Sequence, residues 1–362
     1  MSSYEVKIFN EASEKIKYSS YVLGIDVGGT NTRFGIAEVK QTTPHLLYSL
    51  DYKTSDLPSF IPAICEVIEY SQEKYDITFD TAGIGVAGVV SPFHDYAHLT
   101  NAKLQIDRKD ILHHTSLTKL ILLNDFQTIG YGINCLDSKN PQDFITIRQK
   151  HDLNNYQTKA ILGAGTGLGK TLLLYDTLKS IYIPQASEGG HADFPIYNSF
   201  ERDLSNYIQQ RRHITQPVSY EELLSGRGIE AIHSYLIQNH PEYNSPYVNE
   251  IQNSSDKAAS ISAFRTKDTL CQKTFQFFTQ FFARCAKNFV LDTLALGGLY
   301  LGGGIVLKNP DIFQSSQFIE EFENAHHRQE ILKQIPIYLI VNDKISLYGA
   351  CLAAINIQTE NR

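Results

Sequence analysis

Apolar positions along the chain fall in short runs cut by glycine-rich clusters, and two of these runs repeat one local pattern. Val22-Leu23-Gly24-Ile25-Asp26-Val27 reads as a buried strand, Gly28-Gly29-Thr30-Asn31 as a turn, and Arg33-Phe34-Gly35-Ile36-Ala37 as a returning strand. The pattern recurs with Ala160-Ile161-Leu162-Gly163 as a strand, Ala164-Gly165-Thr166-Gly167-Leu168-Gly169 as a turn, and residues 170–175 as a second strand. Short apolar runs split by Gly, Thr and Asn are hairpin signals. Both copies place small residues and a Thr hydroxyl at the tip. Two matching hairpins, one early and one in mid-chain, predict two lobes that face each other.

Between and after the hairpins, strands and helices alternate. Residues 60–70 carry helical spacing, residues 81–90 read as a strand, and residues 119–123 as a short buried strand. Asp125 stands at the end of that strand, and a helix is expected from Phe126. Ser219-Tyr220-Glu221-Glu222 fits a capping box, Ser at the cap and Glu three residues on, opening a helix through Leu224. Residues 269–291 form a long amphipathic helix rich in Phe, for which a core position is expected over a dimer face. Leu299-Tyr300-Leu301 is a strand running into Gly302-Gly303-Gly304, residues 337–341 are the last strand, and the polar stretch 239–256 reads as a surface loop. Alternation of this kind predicts an α/β protein.

Length and charge narrow the class. At 362 residues the chain exceeds what one core usually supports, so two domains are expected. A net charge of −7 argues against nucleic acid as the main partner, because phosphate backbones demand a concentrated basic surface. Residues 1–20 hold no apolar run that would read as a signal peptide, and no stretch is apolar enough to span a bilayer. The five cysteines are scattered without a Cys-x-x-Cys, and read as free thiols of a reducing cytosol.

Several segments have the residue types of a phosphoryl-transfer site, and each also has a plainer reading. Glycine lets backbone N–H groups approach an anion, and Thr30 and Thr166 add hydroxyl donors; both tips also simply make tight turns. Neither tip matches a P-loop, and neither leads into the helix of a dinucleotide fingerprint. Lys170, after the second tip, is read as a solvated strand residue in preference to a phosphate partner. Asp26, among apolar neighbours, either orients a hydrated Mg²⁺ on a nucleotide or bonds the N–H groups of its own turn. Asn124-Asp125 lie at a strand end, where ligand clefts form, and Asp125 is either a base for a hydroxyl proton or an Asx cap on the next helix. Glu188-Gly189-Gly190-His191 offers acceptors and donors suited to sugar hydroxyls, or is an ordinary surface loop. Glu221 doubles as a first-turn acid favoured by the helix dipole. Gly302-Gly303-Gly304 lets an adenine ring lie against backbone or merely turns the chain.

The order of these motifs is more specific than any one of them. Asp26-Val27-Gly28-Gly29-Thr30-Asn31, Asn124-Asp125-Phe126, residues 163–169, residues 188–194, Leu224-Ser225-Gly226 and residues 302–306 together resemble the bacterial glucokinase family from about Tyr21 to about Ala354. The resemblance implies the two-lobed actin-like ATPase (ribonuclease H-like) fold with the active site in the interlobe cleft. It implies a small α/β domain of residues 1–135 plus 344–362 and a large one of 136–343. It further implies ATP-dependent phosphorylation of glucose with ATP and Mg²⁺, in a cytoplasmic homodimer that binds neither nucleic acid nor membrane. On that pattern Asp125 is the catalytic base, and Asn124, Glu188, His191 and Glu221 contact the sugar. Asp26, Gly28, Gly29, Thr30, Asn31, Gly165, Thr166 and Gly167 serve the phosphates, with Asp26 holding Mg²⁺ through water. Gly302, Gly303 and Gly304 serve the adenosine.

Three departures accompany the resemblance: an extension of about twenty residues at the start, Lys103-Leu104 where an aromatic is expected after Thr100-Asn101, and Lys170 itself. A related branch of kinases and repressors holds a zinc with cysteines after its Glu-x-Gly-His segment. No cysteine lies between Cys135 and Cys271 here, which disfavours that branch and zinc. Other readings are a kinase for another hexose, a polyphosphate-using glucokinase, and a non-catalytic sugar sensor. A sensor has no need of Asp125, and the residues before Tyr21 are too few for a helix-turn-helix domain.

Overall fold

The computed structural model describes residues 3–10, 20–57, 59–99, 105–149 and 156–359. Thr100-Asn101 and Lys103-Leu104, the departures noted above, lie outside the described residues. The chain divides into two compact units. The first comprises Met1–Asp137, Asp176–Ala186 and Asn342–Arg362, and the second Ser138–Tyr175 and Ser187–Val341.

In the first unit the Ser20–Val27 strand pairs antiparallel with Asn31–Lys40, from Ser20↔Val39 to Val27↔Thr32, so the chain reverses at Gly28–Thr30 as the glycine cluster predicts. On its other side it pairs parallel with Thr81–Val86, which pairs parallel with Lys119–Asn124. Thr43–Lys53 and Tyr4–Ile8 complete the antiparallel flank of a six-stranded sheet. Residues 81–90, expected as one strand, divide at Ala87 into Thr81–Val86 and a separate Gly88–Val90 strand in a small three-stranded sheet.

Tyr4–Ile8 was not foreseen as a strand. Its polar side chains are normal for an edge, and Tyr4 packs its ring 5.3 Å from that of Tyr52. The segment Asp176–Ala186, expected in the larger domain, packs with the first unit. Asn134 explains part of this: its amide donates to the Tyr182 carbonyl at 2.9 Å and accepts from the Tyr182 N–H at 2.7 Å.

The second unit repeats the plan. Lys159–Ala164 pairs antiparallel with Leu168–Asp176 and parallel with Leu299–Gly302, which pairs parallel with Ile337–Ile340. Phe144–Arg148 flanks the far side. The central strand, its returning partner and the parallel successor thus have the same order and sense in both units, as the sequence duplication predicts.

Under the second sheet runs the Thr269–Thr293 helix, capped by Asp268, whose carboxylate accepts from the Cys271 N–H at 2.8 Å. Phe275, Phe278, Phe281 and Phe282 recur at helical spacing and are buried with Phe313, Phe318 and Phe322. At about 1.5–3 kcal/mol per fully buried large apolar side chain, this face holds the helix in place. The polar stretch expected as loop contains a Val248–Asn253 helix, pinned by the buried Ile251. The five cysteines are free thiols. Among the described residues no helix is long and apolar enough to cross a membrane.

Candidate active site

The first glycine turn is built by strand pairing and then tied from outside. The Gly28 N–H donates to the Asn31 carbonyl at 2.9 Å, which closes the turn and leaves Gly29, Thr30 and Asn31 exposed at its tip. Thr54, on the short helical turn that follows Thr43–Lys53, is the tie. Its N–H donates to the Thr30 carbonyl at 2.9 Å, and its hydroxyl donates to the Gly28 carbonyl at 2.7 Å. The same hydroxyl lies 3.0 Å from that of Thr32, and Thr54 is buried. No motif marks Thr54 in the sequence, because its contacts come from a strand two elements away. Thr54→Val keeps the shape but strips the buried Thr32 hydroxyl, and the half-buried Gly28 carbonyl, of their partner. An unsatisfied buried group costs about 1–3 kcal/mol, so urea unfolding of the first unit should show a loss in that range. An unchanged midpoint would mean that the hydroxyl does not hold the turn.

Asp26 precedes this turn on the central strand, directly across from Arg33. Burial pushes its pKa up to about 6, with Arg33 opposing the shift and Asp51 adding to it.

At the neighbouring strand end stand Asn124 and Asp125. Asn124 is the cap: its side-chain oxygen accepts from the Gln127 N–H at 2.7 Å, and the Gln127 side chain answers at the Asn124 N–H to complete a capping box. Asp125 is the first residue of the Asp125–Gly132 helix, and one of its oxygens accepts from the Phe126 N–H at 3.0 Å. With the cap supplied by its neighbour, Asp125 is not needed to start the helix. It sits at the N-terminus of that helix, whose dipole places partial positive charge there.

In the second unit, Gly165–Gly167 turns between paired strands, with the Gly165 N–H donating to the Gly167 carbonyl at 2.9 Å. Glu221 braces this turn. One of its oxygens accepts from the Leu168 N–H at 3.0 Å, and the other from Arg227 at 2.7 Å. A Cβ at Gly167 would lie 2.7 Å from that first oxygen, so only glycine leaves room for the brace. Five residues after Glu221, the Gly226 N–H donates to the Gly165 carbonyl at 2.9 Å. Glu221 was expected as a sugar contact; the structure shows it engaged with the turn, and Arg227, unremarked in the sequence, is its partner.

The expected cap at Ser219 is corrected. Ser219 makes no side-chain cap bond, and Tyr220–Leu223 is a single turn. The longer helix starts at Gly226, capped by Ser225 through the Gly228 N–H.

Gly302–Gly304 ends the parallel strand beside this turn, with Gly303 at φ +91° and Gly304 opening a short helix. A Cβ at Gly165 would come within 3.9 Å of the Gly304 nitrogen, so the two glycine segments lie against each other.

Glu188 and His191 flank a single 3₁₀ turn, Gly189–His191, closed by the His191 N–H donating to the Glu188 carbonyl at 2.9 Å. Their heads approach to 3.9 Å and both stay largely exposed. Gly190 fastens this turn to the second hairpin, where its missing side chain matters: a Cβ there would lie 1.9 Å from the Leu168 carbonyl oxygen. Lys170 is not solvated as expected. It is 6% exposed, with its ammonium 4.7 Å from the centre of the Tyr220 ring and 5.4 Å from that of Phe289.

Within each unit the predicted residues therefore gather at the C-terminal ends of parallel strands, the edge where open α/β sheets bind ligands. In the first unit these are Asp26 to Asn31 with Asn124 and Asp125. In the second they are Gly165 to Gly167, Gly302 to Gly304, Glu188, His191 and Glu221. Two such sheets, each with a glycine hairpin on its central strand, define the actin-like ATPase fold of sugar kinases.

The chain belongs to the glucokinase family, whose model matches residues 23–357. A glucokinase of Trichormus variabilis is 31% identical over 352 residues, covering 92% of this chain and 98% of its own. The crystal structure of a glucokinase from an Antarctic psychrotroph matches with a TM-score of 0.76 at 25% identity, over 93% of this chain and 99% of that one. That of the Balamuthia mandrillaris glucokinase in complex with glucose matches in fold, with a TM-score of 0.75 at 21% identity over 94% of each chain.

Proposed function

We propose that the protein transfers the γ-phosphoryl group of ATP to the 6-hydroxyl of glucose, with Asp125 as general base. The observation that carries the role of Asp125 is the division of labour at residues 124 and 125. Asn124 caps the helix, and Asp125 keeps a carboxylate at a strand end where a ligand would lie. As the sugar oxygen attacks phosphorus in line, its proton passes to Asp125 and the bond to the bridging oxygen of ADP breaks. Glu188, His191, Asn124 and Glu221 orient the sugar. Glu221, braced against Leu168 and Arg227, thereby ties sugar recognition to the Gly165–Gly167 turn.

The Gly28–Asn31 and Gly165–Gly167 turns receive the phosphates through backbone N–H groups and the Thr30 and Thr166 hydroxyls, and Gly302–Gly304 receives the adenosine. The carboxylate of Asp26 at the base of an exposed turn fits a hard cation held through water. Magnesium there would neutralise charge on the phosphates; Asp26 and its turn would hold and orient it. Most of the rate comes from positioning and charge neutralisation. The resemblance to bacterial glucokinases also supports a cytoplasmic homodimer, and the net charge of −7 supports a function apart from nucleic acid. The product would enter glycolysis.

Glu188→Gln and His191→Ala remove sugar contacts without touching the phosphate turns. Hydrogen bonds to charged groups contribute about 1.5–3 kcal/mol, so each change should raise the glucose KM by about tenfold or more and leave the ATP KM within twofold. Steady-state kinetics with each substrate varied would check this. A change confined to ATP would place the sugar elsewhere.

A further inference from the structure

Lys170 is a buried lysine that makes no ion pair with a carboxylate among the described residues, in a position where a lysine would ordinarily reach water. It follows the second glycine turn on the Leu168–Asp176 strand, opposite Leu162 in the ladder. Its side chain runs inward, and only 6% of the residue is exposed. The ammonium lies over the Tyr220 and Phe289 rings. Burial pushes the neighbouring Cys285 thiol up, and Lys170 opposes that shift. A desolvated ammonium over an aromatic face is attracted by the negative face of the ring, which offsets part of the cost of burying it.

The methylene stem meets the sugar loop. A Cβ added at Gly189 would lie 3.0 Å from Lys170 Cδ, so the Gly189 backbone rests on the stem in van der Waals range. Tyr220, under the ammonium, is itself fixed. Its hydroxyl accepts from the Asn288 amide at 2.8 Å, and its N–H donates to the Ala192 carbonyl at 2.9 Å. Glu221 is the next residue. One side chain thus touches both the Gly189 turn between Glu188 and His191 and the ring adjoining Glu221.

We infer that Lys170 is a positioning residue for sugar recognition, its stem setting the height of the Glu188–His191 turn and its ammonium anchoring that stem on Tyr220. It acts through these neighbours and touches no substrate. The inference rests on the reading of that turn as part of the sugar site.

The test measures KM and kcat for glucose and for ATP in Lys170→Ala, Lys170→Met and Gly189→Ala, with Glu188→Gln alongside. Lys170→Ala leaves the turn unsupported and should raise the glucose KM about tenfold, with the ATP KM and kcat within twofold. Lys170→Met retains a stem of similar length and should recover most of that loss. Gly189→Ala presses on the stem from the other side and should also raise the glucose KM selectively, which keeps the test open if Lys170→Ala fails to fold. A purely structural lysine would lower the melting temperature of Lys170→Ala and leave the glucose KM of the folded enzyme unchanged, which would overturn the inference. An equal rise in both KM values, or no recovery in Lys170→Met, would overturn it too. If Glu188→Gln moves the glucose KM while the Lys170 and Gly189 variants do not, the inference alone fails. If Glu188→Gln also leaves it unmoved, the turn is not a sugar loop and the underlying reading fails with it.

Discussion

Asp125→Asn should reduce turnover at least about 10²–10⁴-fold, the range that general-base catalysis typically contributes, while the enzyme still binds glucose. The substitution suits the site. Asparagine retains an oxygen to accept from the Phe126 N–H, now made at 3.0 Å, and the helix start is secured independently by Asn124 and Gln127. The loss of a negative charge at the helix N-terminus costs about 0.3–1 kcal/mol of stability, too little to unfold a protein of ordinary stability. A fall in kcat with glucose affinity retained, the latter read by equilibrium binding, therefore isolates the base. Near-normal turnover would show that the proton leaves by another route.

The largest effect on stability is expected at Arg284, on the long helix of the second unit. Its guanidinium grips Glu201 with two bonds of 2.9 Å, donates to the Pro195 carbonyl at 3.2 Å and lies 3.7 Å from the centre of the Tyr197 ring. Both side chains are almost wholly buried. Glu201 in turn accepts from the Tyr197 N–H at 2.7 Å, so the pair fixes residues 195–201, which directly follow the Glu188–Phe194 segment. Arg284→Met leaves the Glu201 carboxylate buried without its cation. Breaking such a pair costs about 3–5 kcal/mol, far more than an exposed bridge such as Lys333 with Glu330 contributes. Pairing Arg284→Met with Glu201→Gln removes the stranded charge and should recover a substantial part of the loss. Denaturant unfolding of the second unit in a double-mutant cycle measures both quantities. A single-mutant loss below about 1 kcal/mol would contradict the assignment of a desolvated pair.

The two hairpins and the elements after them were legible because their signals are local. Apolar runs broken by Gly28-Gly29 and by Gly165-Thr166-Gly167 state both the strands and the reversals, and Phe275 to Phe282 state the buried face of a helix. Tyr4–Ile8 was not legible, since an edge strand with exposed alternate positions lacks an apolar run. Ser219 carried the letters of a capping box that the backbone does not use, while Asn124, one residue before the candidate base, was the true cap. The supports of the site were hidden for a common reason. Thr54, Arg227 and Lys170 act across the fold, and nothing in their own segments shows which turn each will brace. Lys170 shows the limit most clearly: a lysine beside glycines reads as solvated, and only Tyr220, Phe289 and Gly189, brought in by tertiary packing, enclose it.

The central claim is that this chain phosphorylates glucose from ATP. The most direct test is a coupled assay of the purified protein over a hexose panel with ATP, ADP and polyphosphate as donors, with the product's phosphate position read by NMR. The expected result is the highest kcat/KM with glucose and ATP, with glucose 6-phosphate as product. Turnover confined to another hexose or to polyphosphate, or no turnover with any pair, would contradict it.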